Sequence, residues 1–285
     1  MTLTGLYVPL ITPFDHDGAI AVDALEALAN DVLGAGAAGI VALGTTGEPA
    51  SLTEQERHRV VDVLARVCAE RSGQLVVGAD TAAAARDLTR WPQVTATLSV
   101  VPPFLRPGAA GVHAHFTALA AASPVPVVVY HVPYRTGQHL DAGAIRRLAA
   151  VDGVAGIKYA VGGLDADTVD LLADPPHGFA ILGGDDTFVS PLLALGAHGG
   201  ILASAHVATA RFAELVDAWR AGDATTARAL GHDLARLSTA LFAEPNPAVI
   251  KAVLHARGRI PTPAVRPPLL AAAPESLAAA LQLRN

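Results

Sequence analysis

The sequence predicts an α/β protein of the (βα)8 TIM-barrel class with a C-terminal helical region. Three observations predict it. Eight short apolar runs rich in β-branched residues recur between residues 5 and 203. Each is followed by an alanine-rich stretch of helical character. After residue 203 the strand-like runs stop and only helical stretches remain. Strictly alternating strand and helix argues for a parallel sheet, and eight repeats are what a closed barrel requires. An open doubly wound sheet shares the alternation and stands as the alternative. The expected division is a barrel over 1–222 and a helical region over 223–285.

The elements follow in order. Strands are expected at "GLYVPLIT" (5–12), "GIVAL" (39–43), "QLVVG" (74–78), "TATLSVV" (95–101), "PVVVY" (126–130), "VAGIK" (154–158), "FAILG" (179–183) and "GGILA" (199–203). Each is short, apolar and bounded by Gly, Pro or polar residues, as strands buried on both faces are. "VDALEALANDVLGAG" (22–36) and "TEQERHRVVDVLARVCAE" (53–70) read as helices between them. The second opens on Thr53 with Glu56 three residues on, a capping box. "VATARFAELVDAWRAG" (207–222) is expected to close the barrel. "DATTARALGHDLARLSTALFAE" (223–244) and "NPAVIKAVLHARG" (246–258) follow as the helical appendage.

Composition excludes several classes. The formal charge is −6 over 285 residues with no basic run, which argues against nucleic acid or an acidic membrane surface as partner. Cys68 is the only cysteine, so no intramolecular disulfide can form, and a cytoplasmic setting fits. "MTLTGLYVPLITPF" shows neither a basic leader nor a small-residue cleavage site, so no signal peptide is expected. The most apolar stretch, "LAAASPVPVVVYHVP", is broken by prolines and too short for a membrane-spanning helix.

The chemistry-bearing residues collect at strand ends, where barrels place their sites. Two lysines, Lys158 and Lys251, stand among the 20 basic residues, the rest being arginine. A lysine amine can lose its proton when desolvated and attack a carbonyl, which arginine cannot do. Lys158 ends an apolar strand and is the candidate nucleophile, against the bland reading of a surface charge. Lys251, in a late helix, reads as structural. Tyr130 ends the preceding strand, and its phenol could relay protons near an imine; an amphipathic core tyrosine is the competing reading. His131 is adjacent and therefore faces the other side of the sheet. "GTTGE" (44–48) places Thr45, Thr46 and Gly47 in a tight turn entering a helix, a shape that binds anions and here suits a carboxylate. It lacks the lysine of a phosphate-binding loop. Arg135 follows the Tyr130 strand and could clamp a second carboxylate or simply be solvated. Asp185 and Asp186 are expected to cap a helix start. The 11 histidines show no metal-ligand spacing, so no metal and no cofactor are expected.

"GTTGE", "YHVPYRTG", "GIKYAVG", "GGDD" and "FAEPNPAVIKAVL" together resemble, in order and spacing, the dihydrodipicolinate synthase / N-acetylneuraminate lyase family. The resemblance covers essentially the whole chain and lies nearest the synthase branch. It implies a class I lyase or aldolase in which a lysine forms a Schiff base with pyruvate or another 2-oxo acid, without metal or organic cofactor. Lys158 matches the Schiff-base lysine, Tyr130 the proton-shuttling tyrosine, and Thr45 the threonine linking that tyrosine into a relay. Thr46 and Gly47 match the carboxylate-holding turn. Arg135 matches the arginine that meets the aldehyde's carboxylate, and Ile201 a residue lining the pyruvate pocket. The resemblance implies a homo-oligomer, tetramer or dimer, in which a tyrosine crosses from a neighbouring subunit. Here Pro103 and Phe104 stand in that place, which leaves the second substrate open. The segment 79–93 is shorter than the family's. Pro49, Glu54 and Arg57 replace the residues of its lysine feedback site.

The leading expectation is thus a synthase-like condensation of pyruvate with an aldehyde. The alternatives are an aldolase or dehydratase of a 2-oxo-3-deoxy sugar acid and, from other classes, a metal-dependent aldolase or a non-catalytic binding barrel.

Overall fold

The computed structural model describes residues 3–283. Strands β1 (Gly5–Pro9), β2 (Gly39–Ala42), β3 (Gln74–Gly78), β4 (Val94–Val100), β5 (Val127–His131), β6 (Val154–Tyr159), β7 (Ala180–Gly183) and β8 (Gly199–Ile201) pair in sequence order as a closed barrel. Every pairing is parallel, and β8 returns to β1 through Gly5 opposite Gly199. That closure rules out the open sheet. The seam depends on Gly199, where a Cβ would stand 2.0 Å from the Gly5 carbonyl oxygen.

All eight expected runs are strands, and the ends move for local reasons. The Leu10 N–H still donates to the Val41 carbonyl of β2 (3.0 Å), and beyond it the chain turns out of the ladder. The Ile11 N–H donates to Nε2 of His206 (3.0 Å) and not to a neighbouring strand. Along the strands, side chains alternate between two packed layers. Val76, Leu98, Val128, Tyr130, Leu182 and Ile201 fill the barrel interior. Leu75, Val77, Val129, Ile157 and Ile181 face outward, against the helices. The alternation puts Lys158 on the inner side, between the outward Ile157 and Tyr159. It turns His131 outward, where it is buried against the rings of Tyr159 and His139 (centroids 5.9 Å from each).

The surrounding helices are α1 (Val22–Gly34), α2 (Glu54–Arg71), α3 (Ala82–Asp87), α4 (Gly108–Ala122), α5 (Pro133–Thr136), α6 (Ala142–Ala149), α7 (Ala166–Ala173), α8 (Val189–Ala194) and α9 (Ala205–Ala221). The α2 capping box is formed: the Glu56 N–H donates to Oγ1 of Thr53 (3.2 Å), and the Thr53 N–H donates to Oε2 of Glu56 (2.8 Å). α3 is only six residues long, the consequence of the short 79–93 segment. α9 begins two residues earlier than its apolar pattern suggests and is kinked at Ala208 (φ −144°).

Three further helices follow among the described residues: α10 (Ala224–Leu241), α11 (Ala248–Ala256) and α12 (Pro274–Leu281). α12 is not legible in the sequence pattern, since most of its alanines are exposed or half-buried. α10 is capped by Asp223, which accepts from the Thr226 N–H (3.1 Å). It buries Leu230, Leu234, Leu237 and Leu241 at helical spacing. Lys251 of α11 is structural, as expected. It is fully buried, and its amine pairs with the Glu48 carboxylate and donates to the Ala264 carbonyl (2.8 Å). The other Glu48 oxygen accepts from the Arg266 N–H (2.8 Å). This pair ties the C-terminal helices to the turn that follows β2. Among the described residues no helix is long and apolar enough to cross a membrane.

Candidate active site

The carboxyl ends of the strands enclose a cavity of about 300 Å3. Tyr130 and Lys158 are each one residue from the end of their strands, β5 and β6, in register as direct neighbours across the parallel ladder. Both are nearly buried, at 8 % and 7 % exposure. The Lys158 amine sits 4.3 Å from the centroid of the Tyr130 ring, within the range of a cation–π contact. The long lysine stem has room because residue 184 is glycine. A Cβ there would lie 2.8 Å from both Cγ and Cε of Lys158.

The turn after β2 supplies the opposite wall. Thr45 and Thr46 line the cavity within a short 3-10 turn (Thr45–Gly47). The Thr46 hydroxyl accepts from the Asn246 amide (2.8 Å), which arrives from the segment between α10 and α11. Gly47 is placed behind this wall. Its N–H donates to the Gly44 carbonyl (2.8 Å), and its own carbonyl accepts from the Thr12 hydroxyl (2.8 Å). Gly47 therefore shapes the turn and has neither backbone group turned to the cavity. Ile201 and Ala203 close the side below β8.

Arg135 stands at the mouth, on the single turn α5, with its guanidinium carbon 6.0 Å from the Tyr134 ring centroid. Phe104 is not in this cavity. It is 87 % exposed, has φ +67°, and with Pro103 borders a second hollow of about 270 Å3 that shares Thr45, Tyr130 and Arg135 with the first. The structure thus brings together Lys158, Tyr130, Thr45, Thr46, Arg135 and Ile201, and leaves Gly47 and Phe104 outside. Thr45 and Tyr130 share the cavity, and among the described residues no direct hydrogen bond joins them.

The two aspartates correct the sequence reading. Neither caps a helix. Asp185 accepts the Tyr134 hydroxyl on Oδ1 (3.0 Å) and the Gly162 N–H on Oδ2 (2.6 Å), so it links the loops after β5, β6 and β7. Asp186 is buried beside Lys158, and its Oδ2 accepts the Ser204 N–H (2.5 Å). Burial pushes the Asp186 carboxyl up to about 6, partly offset by the Ser204 hydrogen bond and the Lys158 charge. Both carboxylates are taken up by groups of neighbouring loops, and neither makes a side-chain cap to the turn that follows. Among the described residues no group of three or more His, Cys, Asp or Glu could hold a metal ion.

Sequence reasoning also missed Asn246, Tyr134, Phe188 and Phe242, all of which line the cavity. Tyr134 could have been found, since it lies in the strand-end segment "YHVPYRTG". Phe242 and Asn246 lie within "FAEPNPAVIKAVL", but nothing in that segment shows that it reaches the barrel mouth, and Phe188 carried no signal, because its loop meets the site only in three dimensions.

An inward lysine and tyrosine on adjacent barrel strands, facing a hydroxyl-lined turn, define a lyase of the class I aldolase type. The comparisons agree. The dihydrodipicolinate synthetase family model matches residues 2–282, and the chain belongs to that family. A curated 4-hydroxy-tetrahydrodipicolinate synthase from Moorella thermoacetica is 36% identical over 280 residues, spanning 96% of this chain and 95% of that protein. A dihydrodipicolinate synthase from Acinetobacter baumannii, solved in complex with pyruvate, superposes with a TM-score of 0.91 at 32% identity, covering 99% of this chain and 98% of that one. A monomeric dihydrodipicolinate synthase variant superposes with a TM-score of 0.93 at 26% identity, covering 98% and 95%.

Proposed function

We propose that the enzyme forms a Schiff base between Lys158 and pyruvate and condenses the resulting enamine with an aldehyde. The observation that carries this reading is the buried Lys158 amine 4.3 Å from the Tyr130 ring. The amine attacks the C2 carbonyl, water leaves, and an iminium forms. Thr45 and Thr46 face the place where the pyruvate carboxylate would lie. Tyr130 takes and returns the protons of these steps at its phenolic oxygen. Loss of a methyl proton gives the enamine. Its carbon attacks the aldehyde carbon, the aldehyde oxygen takes a proton, and water releases the product from Lys158. Gly184 leaves the lysine stem the room it needs.

The pyruvate assignment is supported by the complex of the Acinetobacter baumannii relative. Phe104 presents no hydroxyl where the synthase branch has a tyrosine, so condensation with aspartate semialdehyde, the substrate implied by that branch, is expected to be weak. The exposed Phe104 and Leu105 (87 % and 80 %) support a homo-oligomer in which this segment meets a second copy. Light scattering at micromolar concentration tests that part, and a monomer would refute it. The buried, single Cys68, its thiol pushed up to about 12 by burial, suits a cytoplasmic setting. The central test is trapping with pyruvate and borohydride, followed by mapping of the modified lysine.

A further inference from the structure

We propose that the aldehyde taken by this site carries an aromatic ring, and that Tyr134 and Phe188 are its specificity-determining residues. The proposal rests on the Schiff-base reading above. The cavity has an inner and an outer half. Lys158, Tyr130, Thr46 and Ile201 are each no more than 8 % exposed, whereas Tyr134, Phe188 and Phe242 are 59 %, 38 % and 37 % exposed and form the outer half. One exposed aromatic ring is ordinary. Here three rings come from three separate stretches, α5, the 3-10 turn before α8 and the residue after α10, and meet at one mouth. A flat apolar body is what such a surface buries best.

The Tyr134 ring is held before any ligand arrives. Its hydroxyl donates to Asp185 (3.0 Å), and Asp185 is itself fixed by the Gly162 N–H (2.6 Å). A ring already held loses little entropy on binding. Charge points the same way. The outer half has one cation, Arg135, and one anion, Asp185, so it offers no net positive field for an anionic tail. Pyruvate brings its own carboxylate to the inner half, and the second reactant need bring none. The step balances: the enamine carbon bonds to the aryl aldehyde carbon, the alkoxide takes the proton released when the enamine formed, and water frees a 4-aryl-4-hydroxy-2-oxo acid from Lys158.

The experiment measures kcat/KM with pyruvate plus benzaldehyde and with pyruvate plus aspartate semialdehyde, and reads the ratio. The wild type is expected to favour benzaldehyde. Tyr134→Ser and Phe188→Ser are each expected to lower the ratio by about tenfold or more, the scale on which apolar pockets discriminate. Tyr134→Phe, which keeps the ring, is expected to retain most of it. A wild-type preference for aspartate semialdehyde, no turnover of benzaldehyde, or a ratio unmoved by the serine variants would overturn the proposal. Borohydride trapping of pyruvate alone on the wild type separates the two readings. A label on Lys158 with no benzaldehyde turnover sinks only the aromatic assignment, while no label sinks the Schiff base and this proposal with it.

Discussion

Adding a single methyl group at residue 184 is expected to disable the enzyme without unfolding it. In Gly184→Ala the new Cβ would lie 2.8 Å from Cγ and Cε of Lys158 and 2.9 Å from Cβ of Ala160. Carbon atoms prefer to be about 3.5–4.0 Å apart, so one partner must retreat by about 1 Å. Ala160 is buried with no rotamer to change, so the lysine stem yields. Lysine side chains adapt at low cost, but the contact with Ala160 is relieved only by a small backbone shift, so the loss of stability should be about 1–3 kcal/mol, the scale of overpacking a core. The amine, however, moves by a distance of the same order, and a 1 Å misplacement of a reacting group costs about 10²-fold in rate. Single-turnover trapping with pyruvate and borohydride, alongside urea unfolding, measures both. Trapping at the wild-type rate would refute the reasoning, as would a rate lost only in step with the folded fraction.

Further outcomes are expected. Tyr130→Phe should fold normally and lose roughly 10²–10⁴ in kcat, with Thr45→Val losing less, as steady-state kinetics on the true substrate pair will show. Lys251→Met should lower stability to urea by about 3–5 kcal/mol, because it leaves the buried Glu48 carboxylate without its cation; the double variant with Glu48→Gln should recover part of that loss. The Asp186 carboxyl has a raised value of about 6 against 3.8 unfolded, so its favourable contribution is complete below pH 3.8 and is lost as pH rises through 6. The stability of the wild type relative to Asp186→Asn should therefore fall by about 2 kcal/mol between pH 4 and 7, read by urea unfolding at each pH.

The barrel was legible because its signal is local and repeated. Val127, Val128 and Val129 announce a buried strand by residue type alone, and the same signal recurs eight times between glycines and prolines. Lys158 was legible by its rarity and Tyr130 by its strand-end position. Residues that act across space were not. Asn246 reaches Thr46 over 200 residues of sequence, and only closure of the barrel brings Phe242 to the mouth. Asp185 and Asp186 misled for a related reason. Acidic residues at a helix start are ordinary caps, and only the converging loops show that their oxygens are taken by Tyr134, Gly162 and Ser204. Gly47 was read from its motif, yet the turn consumes its backbone groups.

The central claim is that Lys158 is the imine-forming amine, and one measurement meets it directly. The enzyme is incubated with pyruvate, reduced with borohydride, digested and mapped by mass spectrometry, with Lys158→Arg in parallel. The account predicts one reduced pyruvate adduct per chain, on the peptide containing Lys158, and none in the variant, since arginine is not an amine nucleophile. An adduct on Lys251, an adduct that survives in the variant, or no adduct at all would contradict it.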